Sequence, residues 1–173
     1  MNKERLDNQP ITVTLTGSAG NIGYILAFMI GQGKLLGNKK IILKLLEIPP
    51  MKNKNIALRE ELMDGSFEVL EEIVATTDPA VGFKDAELIL LVGCKPRSKG
   101  MLRAQLIKSN APIFKSQAKF IDQYANPNAR VVVVGNPANT NALILANYSQ
   151  KLKKENITSL QRLDINRIKA QLH

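Results

Sequence analysis

Two hydrophobic rhythms alternate along the chain. Short runs rich in β-branched residues predict strands at Ile11–Thr16 (ITVTLT), Lys40–Ile48 (KIILKLLEI), Ile73–Thr76, Glu87–Val92 (ELILLV), Arg130–Gly135 (RVVVVG) and Ile157–Leu160. Between them lie longer segments with apolar residues at helical spacing. These predict helices over Asn21–Gly31, Asn55–Glu72 (with Gly65 a candidate break), Gly100–Ala125 (with a candidate interruption at Pro112) and Asn139–Lys153. A last helix is expected from about Asp164, while Pro79–Asp85 is expected as a brief turn.

Strands that are apolar throughout, rather than on alternate positions, belong in a parallel sheet covered on both faces. Six of them joined by crossover helices give an α/β, doubly wound parallel sheet, the Rossmann architecture. The expected organisation is an N-terminal extension over 1–10, the Rossmann domain over 11–163, and the start of a connecting helix over 164–173.

The chemistry starts at the first strand-to-helix turn. Gly17-Ser18-Ala19-Gly20-Asn21-Ile22-Gly23 has the spacing G-x-x-G-x-x-G. Glycines there allow a tight turn and close backbone approach to a pyrophosphate, with N–H groups at the helix start aimed at the anion. Three glycines in a turn also serve plain packing, so the turn alone is weak evidence. Glu47 ends the second strand 24 residues beyond Gly23, near where a ribose-binding acid belongs. A carboxylate there accepts from the 2′- and 3′-hydroxyls and repels a 2′-phosphate, favouring NAD over NADP. The alternative for Glu47 is an ordinary solvated acid at a strand end.

Composition bounds the rest. With 173 residues, 45% hydrophobic and 23% charged, the chain can bury a core without staples, and its one cysteine, Cys94, fits a reducing compartment. The polar N-terminus lacks the features of a signal or transit peptide, and no apolar run is long enough to span a bilayer, so a cytoplasmic protein without membrane contact is expected. The formal charge of +9 would suit a nucleic-acid binder. Its lysines and arginines are dispersed among acids, however, and a solvated surface is expected instead. No metal-ligand cluster stands out.

Later motifs narrow the reading. Gly93-Cys94-Lys95-Pro96-Arg97-Ser98-Lys99-Gly100-Met101-Leu102-Arg103 follows the fourth strand, and Gly135-Asn136-Pro137-Ala138-Asn139-Thr140-Asn141 the fifth. Leu163-Asp164-Ile165-Asn166-Arg167 lies near the end. With TGSAGNIGY at Thr16–Tyr24 and IFKSQ at Ile113–Gln117, the chain resembles the cytosolic-type, NAD-dependent malate dehydrogenases of the lactate/malate dehydrogenase family. The resemblance covers nearly everything after the first ten residues. It implies oxidation of malate to oxaloacetate with NAD, a step of the tricarboxylic acid cycle, by a homodimer. By the same resemblance Gly17, Gly20, Asn21, Ile22, Gly23, Glu47, Asn110 and Gln117 are cofactor-binding positions. Arg97 and Arg103 are the arginines of a mobile loop that encloses the dicarboxylate, Arg167 fixes the other carboxylate, and Asn136 hydrogen-bonds the substrate. Arginine suits these roles because its planar fork engages a carboxylate through two parallel hydrogen bonds.

Asp164 corresponds to the aspartate that orients the catalytic histidine. That histidine is expected in a second, catalytic domain absent from this sequence, so the chain alone is expected to be inactive; the alternative is a non-catalytic NAD-binding or partner-binding module from a truncated paralogue. Its one histidine is His173, and a helix from Asp164 to His173 would put the two on opposite faces. Asp164 could equally be a helix N-cap, Asn136-Pro137 turn chemistry, Arg97 and Arg103 solvated surface charges, and Cys94 a packing residue. The sequence departs from the family at Glu47, commonly Asp; at Lys95, usually apolar; at Ser98 and Lys99, usually a basic-acidic pair; and at Ala118, usually glycine.

Overall fold

The computed structural model describes residues 9–172. Residues 1–8 of the expected extension, and His173, lie outside the described residues. Six parallel strands form one sheet in the order β3-β2-β1-β4-β5-β6: β1 (Ile11–Thr16), β2 (Ile41–Leu46), β3 (Leu70–Thr76), β4 (Leu88–Leu91), β5 (Arg130–Val133) and β6 (Ile157–Ser159). The chain builds outward from β1 in one direction and then from β4 in the other. The switch between β1 and β4 is where an open α/β sheet leaves a crevice beyond its carboxyl ends. The doubly wound expectation is met.

Helices α1 (Asn21–Gly31) and α2 (Lys52–Asp64) cover one face. Helices α3 (Pro79–Phe83), α4 (Arg103–Tyr124) and α5 (Ala138–Tyr148) cover the other, and α6 (Arg162–Leu172) follows β6. Strand periodicity explains the two cores. Val13, Leu15, Ile41, Leu43 and Leu45 point toward α1 and α2 and pack with Ala27, Ile30, Leu58 and Leu62. Leu46, Ile89, Leu91, Val131 and Val133 point the other way, onto Phe83, Phe114, Ala118 and Ile121.

β1 and β2 carry polar side chains into the second layer. Thr14 is fully buried and its hydroxyl donates to the Gly82 carbonyl at 2.6 Å. Lys44, only 9% exposed, donates its ammonium to the carbonyls of Val81 and Lys84 at the end of α3. Burial pushes its pKa below the usual lysine value, with Lys84 lowering it further and Asp85 opposing. A charge is tolerated in this strand because a short helix end supplies carbonyls to it.

Several boundaries differ from the sequence expectation. Helix α2 stops at Asp64, and Leu70–Glu72, expected as helix, belong to β3. The Phe67 ring lies over Gly65, where a Cβ would come within 2.5 Å of it, so the glycine both ends the helix and admits the ring. Helix α5 ends at Tyr148 rather than Lys153 because the Gln150 and Lys151 N–H groups donate to the Asp122 carboxylate at 2.6 and 3.2 Å. Pro112 does not interrupt α4. It sits on the exposed side, while Leu106, Asn110, Phe114, Ala118 and Ile121 anchor both halves of the helix. Pro79–Phe83, expected as a turn, is a helical turn whose Asp78 side chain accepts from Ala80 N–H at 2.8 Å.

Candidate functional site

A mostly apolar cleft of about 890 Å³ opens at the carboxyl ends of the strands, at the β1/β4 switch. Gly17, Gly20, Glu47, Gly93, Cys94 and Gln117 contribute to its lining. The three glycines of the turn have different jobs. Gly17 takes φ +66°, and a Cβ there would lie 2.6 Å from Gly93 Cα, so the turns after β1 and β4 touch backbone to backbone. Gly23 lies in α1, and a Cβ on it would sit 2.1 Å from the Gly17 carbonyl oxygen. Gly20 has an ordinary φ of −81°, and a Cβ there would meet only the Gly17 oxygen, at 3.3 Å. The fold requires small residues at Gly17 and Gly23, and Gly20 is the one that keeps the cleft wall open.

The start of α1 suits an anion. Gly20 is its N-cap, no side chain caps the first turn and no acid lies in it, which leaves the N–H groups around Asn21, Ile22 and Gly23 to whatever enters. Glu47 reaches over from β2. Its Oε1 accepts from Ala19 N–H at 3.0 Å and its Oε2 from Ile48 N–H at 3.1 Å, so the carboxylate stands against the glycine turn. Gln117 from α4 brings a buried Oε1 that has no partner among the described residues. An uncapped helix start, a carboxylate beside it, an orphan amide oxygen and apolar walls together fit a dinucleotide: phosphate at the turn, hydroxyl donors at Glu47, and rings against the walls.

The remaining candidates lie elsewhere. Asn110 is fully buried, and its side chain is taken up by the polypeptide: Oδ1 accepts from Lys95 N–H at 2.8 Å, and Nδ2 donates to the carbonyls of Lys95 and Leu106 at 3.2 and 3.1 Å. It clamps the loop after β4 at Lys95, whose own side chain is exposed. Arg97, exposed on that loop, donates from Nε to the Met101 carbonyl at 2.9 Å, and Arg103 opens α4 with its side chain exposed. Asn136 follows β5, and its backbone N–H favours the Cys94 thiolate. Burial nevertheless raises the Cys94 thiol, which stays protonated and packs against the core.

Asp164 and Arg167 face each other at 3.3 Å on α6, with side chains 62% and 74% exposed. Helix α6 starts at Arg162, so Asp164 is inside it rather than at the N-cap. No residue of α6 is buried. The structure thus brings the cofactor candidates other than Asn110 together, and leaves the substrate candidates spread over the loop after β4, the start of α4, the turn after β5 and the exposed α6.

Sequence reasoning missed two buried residues beneath the turn. Ser18 donates its hydroxyl to Asn55 Oδ1 at 2.7 Å, and Asn55 Nδ2 donates to the Leu45 and Thr76 carbonyls at 2.9 and 3.4 Å. The available signal was an asparagine opening an otherwise amphipathic helix pattern.

Residues 11–158 match the lactate/malate dehydrogenase NAD-binding domain. The chain is 46% identical over 165 residues to the cytoplasmic malate dehydrogenase of Beta vulgaris, covering 95% of this chain and 50% of the relative. It is 45% identical over 166 residues to the cytoplasmic malate dehydrogenase of Homo sapiens, with coverage of 95% and 50%. Among solved structures, the malate dehydrogenase of Naegleria fowleri superposes with a TM-score of 0.90 at 41% identity, covering 94% of this chain and 50% of that one. The Trichomonas vaginalis lactate dehydrogenase in complex with NADH and oxamate gives 0.87 at 45%, covering 91% and 47%. The chain spans about half the length of the curated relatives it matches. A glycine turn at the sheet's switch point, an acid from β2 and this extent of matching converge: the chain belongs to the lactate/malate dehydrogenase family.

Proposed function

We propose that the cleft at the β1/β4 switch holds NAD, and that the protein is an NAD-dependent malate dehydrogenase interconverting malate and oxaloacetate, a step of the tricarboxylic acid cycle. The observation that carries the cofactor reading is the Glu47 carboxylate standing against an uncapped glycine turn. Bound NAD supplies the hydride acceptor for the carbinol carbon. The N–H groups around Asn21, Ile22 and Gly23 hold the pyrophosphate, Glu47 takes the ribose hydroxyls and excludes a 2′-phosphate, and Gln117 offers its orphan oxygen to a donor on the ligand. Asn110 acts through the Lys95 loop that it clamps.

Arg97 rides on a loop with few buried anchors, as a segment that closes over a substrate must, and Arg103 stands where that loop enters α4. Arg97 and Arg103 enclose one carboxylate, Arg167 fixes the other, and Asn136 hydrogen-bonds the substrate. Asp164 orients a histidine contributed by a second half like that of the relatives. The 45% identity to a lactate dehydrogenase makes a monocarboxylic 2-hydroxy acid the second reading. The loop arginine Arg97 favours the dicarboxylate, since a monocarboxylate would leave its cation unpaired. A cytoplasmic location accords with the names of the relatives, the homodimer rests on the sequence resemblance alone, and the dispersed basic residues give no reason to add nucleic acid as a partner.

Calorimetric titration of the 173-residue chain with NADH and NADPH tests the reading. Saturable NADH binding with NADPH weaker by about tenfold or more, or 1.4 kcal/mol, is expected. Equal affinities would refute the assignment of Glu47.

A further inference from the structure

The glycine turn is tethered to its neighbours at two consecutive residues, and the two tethers differ in kind. Ala19 N–H is held by Glu47 Oε1 at the partly buried rim of the cleft. A ligand whose hydroxyls use that carboxylate competes for this bond. Ser18 is held from below. Its side chain is fully shielded, Asn55 is 1% exposed, and their hydrogen bond is 2.7 Å long. No ligand reaches that bond. Asn55 in turn spans the ends of β2 and β3 through Leu45 and Thr76, so one amide fixes the turn to two strands and to α2 at once. Ser18 is also the floor under α1, since the space where Gly23 lacks a Cβ is bounded by Ser18 Cα at 2.7 Å and Ser18 O at 2.8 Å. A shift of Ser18 therefore moves the first turn of α1 with it.

We propose that Asn55, acting through Ser18, is a positioning residue for the cofactor's pyrophosphate: it holds the phosphate-facing turn in place when Glu47 is committed to the ligand. The inference rests on the reading of the cleft as an NAD site. It assigns a role to a residue that need not touch the cofactor, and it makes α2 a lever on the site. Because α1 and α2 are also joined by the Tyr24 hydroxyl donating to Glu61, a displacement of α2 reaches the turn from both sides. The chemistry requires an amide at residue 55: one oxygen must accept from Ser18 while one nitrogen donates to two carbonyls. Leucine, aspartate and alanine each fail one or both demands.

The test is a binding comparison of the 173-residue chain with Ser18→Ala, Asn55→Asp and the double variant, read by NADH fluorescence and by NMR shifts with adenosine. Ser18→Ala is the small change that keeps the fold, so it decides the matter even if Asn55→Asp unfolds. Loss of a buried hydrogen bond that positions the turn is expected to weaken NADH by about tenfold. Adenosine, which lacks phosphate, should bind as it does to the wild-type chain. The double variant should be no weaker for NADH than the poorer single variant, because the pair works as one unit. A merely structural role would lower the melting temperature and leave NADH affinity, measured well below the melt, unchanged. Wild-type NADH affinity in Ser18→Ala, or an equal loss for NADH and adenosine, overturns the inference alone. A wild-type chain that binds no NADH overturns the cofactor reading and this inference with it.

Discussion

Adding one methyl group at Gly23 and one at Gly20 should separate the architecture of the turn from its binding function. At Gly23 the new Cβ would lie 2.1 Å from Gly17 O, where ordinary contact begins at 3.4 Å, so turn and helix must part by about 1.3 Å. The nearest atoms there are all backbone, belonging to Gly17 and Ser18, and no side chain can swing aside. Overpacking of this kind costs about 1–3 kcal/mol. For a domain of this size that is a fall in melting temperature of about 2–12 °C. NADH affinity should fall by about a hundredfold as well, since the N–H groups no longer converge. At Gly20 the new Cβ meets Gly17 O at 3.3 Å, a few tenths of an ångström too close, and φ is −81°, which alanine adopts freely. The poorer N-cap is partly offset by the lower entropy of the unfolded chain, leaving stability within about 1 kcal/mol. Because Gly20 lines the cleft, the methyl group obstructs the approach of the pyrophosphate, and NADH should still weaken by at least about tenfold. Thermal melts and NADH fluorescence titrations of both variants read the two effects separately. Gly20→Ala with wild-type affinity would refute the assignment of the turn to a phosphate. Gly23→Ala with a wild-type melt would refute the packing argument.

Three further outcomes are expected. Lys44→Met leaves the carbonyls of Val81 and Lys84 without their donor in a partly buried setting and should cost about 1 kcal/mol in a denaturant melt. Because the folded pKa of Lys44 lies below its usual 10.5, the folded chain binds fewer protons in that window; the lysine's contribution is fully present above 10.5 and declines as pH falls through the lowered value, so the gap between wild type and Lys44→Met should widen toward pH 10.5 and a constant gap would contradict it. The 173-residue chain with NADH and oxaloacetate should show no turnover attributable to the family mechanism, because positioned acid–base catalysis is commonly worth about 10²–10⁴-fold and Asp164 pairs with Arg167, not with a histidine, among the described residues; turnover that vanishes in Arg97→Ala would reopen the search for a base. Self-association is expected from the exposed Ile22, Ile25 and Met29 along α1 and Leu163, Ile168 and Leu172 along α6, and a clean monomer in sedimentation at high concentration would count against it.

Much of this was legible because parallel strands declare themselves. RVVVV, ELILLV and IILKLL cannot present one wet face, so a sheet covered on both sides followed directly from them. The glycine turn and Glu47 were legible because their chemistry depends on local spacing around β1 and β2. The boundary between α2 and β3 was not, because Val69 and Leu70 suit either period and only the packing of Phe67 over Gly65 decides it. The Ser18–Asn55 pair was hidden for a different reason. Its partners are 37 residues apart in the chain, and an asparagine opening an amphipathic pattern marks the helix start without naming the serine it meets. Lys44 reads as a solvated cation until the end of α3 is placed beneath it. Asn110 matches a cofactor position in sequence, yet its amide is engaged by Lys95 and Leu106, a fact that depends on how the loop returns to α4.

A crystal structure of the chain grown with NADH would show whether the cleft at the β1/β4 switch holds the dinucleotide as assigned. The pyrophosphate is expected against the N–H groups that open α1, with the Glu47 carboxylate on the adenosine ribose hydroxyls and the Ser18–Asn55 hydrogen bond intact. Dinucleotide bound away from the β1/β4 switch, or bound there with Glu47 turned out to solvent, would contradict that assignment.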